Sequence, residues 1–167
     1  RRSSRFDVLY KKKASFIKTL IPNGPMRFHL RSPVKQVVRY MRNSYVLESI
    51  DIWCPSRHAI GPGHYHGEVQ LRHRLWDLRR SATPVPTDLV LCVLLSAKGG
   101  IQPARPERSG SESAILPFLQ QASSDRQGAE TVRADLPGLV MPSRHGDMYH
   151  YESRTREPVS YTHLTLP

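Results

Sequence analysis

The chain has 167 residues, 38% of them aliphatic or aromatic, and a formal net charge of +11. That length suits one domain with one core. The apolar runs are far too short for a membrane-spanning helix, and fourteen prolines with ten glycines argue against a helical bundle. The charge is lopsided: residues 1–45 carry twelve Lys or Arg against a single acid, Asp7, whereas 46–167 are neutral overall. Such a front segment can meet nucleic acid or an anionic surface, with loss of binding at higher salt as the signature. No nucleic-acid motif accompanies Lys11-Lys12-Lys13, so a solvated basic edge is the expectation.

In chain order, Phe16–Leu20 and Met26–Leu30 read as strands joined by the turn Pro22-Asn23-Gly24-Pro25. Tyr45–Trp53 alternates over its whole length and ends at Pro55. Gly61-Pro62-Gly63 marks another turn, followed by a strand over His66–Leu75. Its alternation places Glu68, Gln70 and Arg72 on one face, with Val69, Leu71 and His73 on the other. Leu89–Ser96 is apolar on both faces and therefore central. Residues 99–113 read as a polar loop, Ala114–Ala122 as a short helix, and Met148–Glu152 as a last strand; 123–147 are weakly patterned. No repeats and no interdomain linker are visible.

The two cysteines, Cys54 and Cys92, leave a disulfide open and exclude a cysteine-based zinc ribbon. The chain does not begin with Met and residues 1–5 do not resemble a signal peptide, so the compartment stays undetermined. Residues 159–167, Val-Ser-Tyr-Thr-His-Leu-Thr-Leu-Pro, read as the translation of a transposase-type sequencing-library adapter. They, with His163, are set aside from fold reasoning, and the natural gene is expected to continue past Pro158. The division expected is a basic segment at 1–45 belonging to or leading into the domain, a partial domain at 46–158, and the foreign tail.

The stretch Asp51-Ile-Trp-Cys-Pro-Ser-Arg-His-Ala-Ile-Gly-Pro-Gly-His-Tyr-His-Gly-Glu-Val-Gln-Leu-Arg-His73 resembles the central signature of the α-type carbonic anhydrases. That signature has the form H-x-H-x-P-S-E-H-T-hydrophobic-x-G-x-x-Y-x-x-E-x-H-x-x-H. It aligns without a gap and is matched at Pro55, Ser56, His58, Ile60, Tyr65, Glu68 and His73. Weaker likenesses are the Leu89–Leu95 strand, Ile115–Leu119, and Tyr149–Thr155, which lacks the family's glycine. The resemblance implies a mainly β fold around a twisted, largely antiparallel sheet, here truncated.

The family's zinc takes three histidine nitrogens and an open position for water, whose pKa falls to about 7. The resemblance puts Asp51, Trp53 and Gln70 at those three positions. Asp51 can ligate, Trp53 offers only a donor, and Gln70 only a neutral amide oxygen. No metal cofactor is therefore expected, and the leading expectation is a carbonic anhydrase-related domain that is not a CO2 hydratase, acting through a protein partner or as a folded module. The rival is a divergent zinc enzyme using a rearranged site drawn from His64, His66 or Asp51. A third reading is a damaged translation without function.

The resemblance also places Glu68 as the acid that orients the third ligand, Arg57 where the family has an acid, and Thr155 at the hydroxide-orienting threonine. His58, Tyr65 and His73 fall at structural positions. For a metal-free site, Arg72 or Arg57 is expected to pair with Asp51 or Glu68, with Trp53 filling the cavity. Cys54 and His58 sit four apart, but Pro55 opposes the helical geometry a nucleophile and base would need.

Overall fold

The computed structural model describes residues 6–11, 13–60, 63–77, 86–95, 112–123, 131–140, 148–153 and 159–165. Among the described residues, twelve strands and two helices follow one another. The strands are β1 (Phe6–Leu9), β2 (Ala14–Leu20), β3 (Met26–Leu30), β4 (Val37–Tyr40), β5 (Asn43–Trp53), β6 (Ala59–Ile60), β7 (Gly63–His64), β8 (Gly67–Asp77), β9 (Asp88–Leu95), β10 (Thr131–Ala134), β11 (Met148–Ser153) and β12 (Val159–Thr165). The helices are α1 (Glu112–Ala122), before β10, and α2 (Leu136–Val140), after it.

One sheet runs β10-β2-β3-β5-β8-β9-β12-β11, with β4 also paired to β5 and β1 to β4. Every pairing is antiparallel except that of β12 with β9. The strands expected from alternation all form, with ends displaced by a few residues. The basic segment is itself part of the sheet, since β1 to β4 lie within it. β12 coincides with the stretch set aside as foreign. It lies beside β9 in parallel register.

The short strands β1, β4 and β10 and the five-residue α2 were not anticipated, because four or five residues carry too little periodicity to read. Part of the expected 99–113 loop and the turn positions 61–62 lie outside the described residues.

The central strands carry two kinds of transverse row. Phe28, Ile50, Leu71 and Leu91 are cross-strand partners on β3, β5, β8 and β9, and each is fully buried. Side chains alternate between faces, so this row defines the core side. Phe118 of α1 covers it, its ring centroid 5.2 Å from that of Phe28. Phe16, Leu136 and Leu139 complete the same cluster. Phe28→Ala is expected to cost about 3–5 kcal/mol, because the surrounding side chains cannot close the void. An unchanged urea midpoint would refute this placement of the core.

A bulge at Glu48 changes the phase of β5. Leu47 pairs with His73 and Ser49 with Arg72, leaving Glu48 without an opposite residue. Tyr45 and Leu47 before the bulge therefore share the core cluster with Ile50 and Ile52 after it. A strand alternating strictly from Tyr45 to Trp53 would instead have put Leu47 beside Asp51.

Candidate functional site

The opposite face begins one residue away. Arg27, Asp51, Gln70 and Cys92 are consecutive cross-strand partners on β3, β5, β8 and β9, so they share the face away from the core. Asp51 is 0% exposed. Both its oxygens are taken by one guanidinium: Arg27 Nε donates to Oδ1 and Nη2 to Oδ2, each at 2.7 Å. This planar fork-to-fork geometry is what arginine offers a carboxylate. The hydrogen bond to Asp51 raises the pKa of Arg27, partly offset by burial.

Arg72 reaches the same carboxylate more loosely, with Nη1 3.6 Å from Oδ2. The expected pairing of Asp51 with Arg72 is thus present but secondary, and Arg27, twenty-four residues upstream, is the principal partner. Arg57 does not pair with Asp51. Its guanidinium carbon stands 4.6 Å above the ring of Trp53. Trp53 is half-buried, and its indole Nε1 is buried with no hydrogen-bond partner among the described residues.

Glu68, two residues before Gln70 and on the same face, is also 0% exposed. The backbone N–H groups of Arg57 and His58 donate to its Oε2 at 2.9 and 3.0 Å. Gln70 Nε2 donates to Oε1 at 2.8 Å, and His58 Nδ1 bonds the same oxygen. Burial alone would raise the Glu68 pKa, but the hydrogen bonds from His58 and Gln70 and the charge of His58 outweigh it and bring it to about 2.

The segment that delivers these donors is clamped locally. Tyr65 N–H donates to Ser56 Oγ at 2.8 Å, Ser56 N–H to the Tyr65 carbonyl at 3.1 Å, and Ser56 Oγ–H to the His58 carbonyl at 2.8 Å. Cys92 lies against the same carboxylate. Burial chiefly, then the charge and hydrogen bond of Glu68, pushes its thiol pKa well above the ordinary value. Cys54 is exposed, and both cysteines are free thiols.

His73 lies on the core side of β8, 1% exposed. Its Nδ1–H donates to the Leu89 carbonyl at 3.0 Å, leaving Nε2 to accept from the Tyr10 hydroxyl, whose ring stacks on the imidazole. Burial lowers the His73 pKa to about 4. The unfolded chain thus binds a proton that the folded chain refuses between pH 6.5 and 4. Stability from this group is complete above pH 6.5 and is lost as pH falls through that window, by about 3 kcal/mol in all. Urea unfolding of the wild type and of His73→Gln at both ends of the window checks this; equal pH slopes in the two would refute it.

His66 precedes β8 at an exposed bend, so it does not share the strand face of Glu68 and Gln70 as its spacing suggested. His64 contributes its backbone to β7, and Thr155 lies outside the described residues. Arg27, Cys92 and Tyr10 were not anticipated as site neighbours. The only sequence signals for them were an arginine inside an alternating strand and a cysteine inside an apolar one.

This is a mainly β protein in which one wide, largely antiparallel sheet keeps its core on one face and a row of buried polar groups on the other. The fold is that of the α-carbonic anhydrases. The chain superposes with a TM-score of 0.60 on the α-carbonic anhydrase of Photobacterium profundum, at 13% identity, covering 99% of this chain and 70% of that one. A carbonic anhydrase of Chlamydomonas reinhardtii in complex with acetazolamide gives a TM-score of 0.60 at 18% identity, covering 99% and 68%. Dioscorin complexed with ascorbate gives 0.53 at 14% identity, covering 98% and 61%. No protein-family model matches the sequence, and no curated protein is significantly similar to it.

Proposed function

We propose that the chain is a carbonic anhydrase-like domain that does not hydrate CO2 and acts as a folded binding module. The observation that carries this reading is the bidentate grip of Arg27 on Asp51, the one residue among the family's ligand positions with metal-binding chemistry. A cation there would have to displace a bidentate guanidinium from a fully buried carboxylate, whose pairing with the partly exposed Arg27 is screened less than at the surface. Trp53 presents an N–H rather than a lone pair, and the Gln70 amide is held by Glu68. Zinc held at 51, 53 and 70, with the hydroxide it would supply, does not fit these residues, and we assign no reaction step to it.

The test is the CO2 hydration rate of zinc-supplemented protein whose cooperative unfolding shows it to be folded. A rate equal to that of buffer is expected. A rate above buffer that disappears on chelation and returns with zinc would overturn the proposal.

A further inference from the structure

We propose that His58, Glu68 and Cys92 form a binding site for a thiophilic divalent cation of the zinc class, separate from positions 51, 53 and 70. One ligand atom from each residue, the imidazole Nδ1, a carboxylate oxygen and the thiol Sγ, lies within 4.8 Å of the other two. Glu68 and Cys92 are fully buried and His58 is half-buried. They come from three separate stretches of chain: the clamped segment after β5, then β8, then β9.

The donor set is what sets this cluster apart from an ordinary satisfied polar group. Nitrogen, oxygen and sulfur together are the ligands of zinc-like ions, and a thiol selects against magnesium or calcium. Charge also balances. A dication facing the Glu68 carboxylate and a Cys92 thiolate leaves no net charge in the interior, which burial requires.

A tetrahedral ion holds its ligand atoms about 3.2 to 3.7 Å apart, given metal–ligand distances near 2.0 to 2.3 Å. With every separation within 4.8 Å, no pair has to contract by more than about 1.5 Å on that geometry, and the direct hydrogen bond between His58 and Glu68 must open. Side-chain rotation can supply both.

Binding expels the Cys92 proton to solvent and forms a metal–sulfur bond. His58 coordinates through Nδ1 as a neutral imidazole with its proton on Nε2. The Nδ1 proton now directed at Glu68 leaves to solvent if the ring is an imidazolium, or is exchanged through solvent to Nε2 if the ring is neutral. Glu68 exchanges donated hydrogen bonds for the cation. The fourth position falls to water, while the Gln70 amide, 2.8 Å from Glu68, stays its hydrogen-bond donor. Without metal the thiol stays protonated, since burial and the Glu68 charge both oppose its ionisation.

The experiment is a titration of the chelator-treated full chain with Co2+, following the near-ultraviolet thiolate-to-cobalt absorption. One equivalent is expected to saturate it. Cys92→Ser is expected to abolish the band, His58→Asn to weaken cobalt binding at least tenfold, and Cys54→Ser to leave it intact. No band with stoichiometric cobalt, or a band lost in Cys54→Ser and kept in Cys92→Ser, would overturn the proposal. Cadmium-113 NMR of the Cys54→Ser chain is a second readout that leaves the cluster itself unaltered. A resonance in the range for one sulfur ligand supports the site, and one for oxygen and nitrogen ligands alone defeats it. The inference is independent of the CO2 reading. A bound cation without hydration satisfies both, whereas zinc-dependent hydration surviving in Cys92→Ser would overturn only the other.

Discussion

Arg27→Met is expected to destabilise the chain by about 3–5 kcal/mol, because it strands the Asp51 carboxylate in the interior. Asp51 is 0% exposed, and its remaining charged neighbour, Arg72, is 3.6 Å away and partly solvated. One loose contact does not repay the desolvation of a buried carboxylate. The double variant Arg27→Met with Asp51→Leu is expected to recover most of the loss, since an apolar pair removes both charges and keeps the volume. Urea unfolding of the two variants reads this directly. A single variant within 1 kcal/mol of wild type would mean that Arg72 or water serves Asp51 equally well, and that the grip of Arg27 is incidental.

Glu68→Gln is the second large effect, about 3 kcal/mol or more. The substitution keeps the shape of the side chain but reverses half of its hydrogen bonding. Donors converge on both oxygens of Glu68, Arg57 N–H and His58 N–H at Oε2 and Gln70 Nε2 and His58 Nδ1 at Oε1, and the Cys92 thiol is hydrogen-bonded to the same carboxylate. A glutamine amide must turn its NH2 group toward one of those pairs, setting donor against donor in a buried site. The same residue adds an acid limit to stability. Its pKa is held at about 2 in the folded chain against an ordinary 4.5, so its contribution is complete above pH 4.5 and fades as pH falls toward 2. His73 fails first on acidification, between pH 6.5 and 4. Acid unfolding in two overlapping stages is therefore expected. In Glu68→Gln the lower stage should vanish while the upper one persists; survival of the lower stage would show that another carboxylate governs it.

The amino-acid sequence by itself determined the parity of the sheet. Period-two alternation is a local property of the backbone, so Glu68 and Gln70 share a face, and Val69 and Leu71 the other, whatever lies beside them. The resemblance of Asp51–His73 to the α-carbonic anhydrase signature was likewise legible, and with it the mainly β, largely antiparallel fold. Tertiary structure decided which strands lie next to one another and in what register. Register put Arg27 opposite Asp51 and Cys92 opposite Gln70, pairs separated by more than twenty residues in sequence. It also set the bulge at Glu48, which carries Leu47 into the core while Asp51, four residues on, faces the polar row. The physical reason is that side-chain direction depends on each residue's own backbone, whereas the charge that meets a buried carboxylate depends on a neighbouring strand that local sequence does not specify.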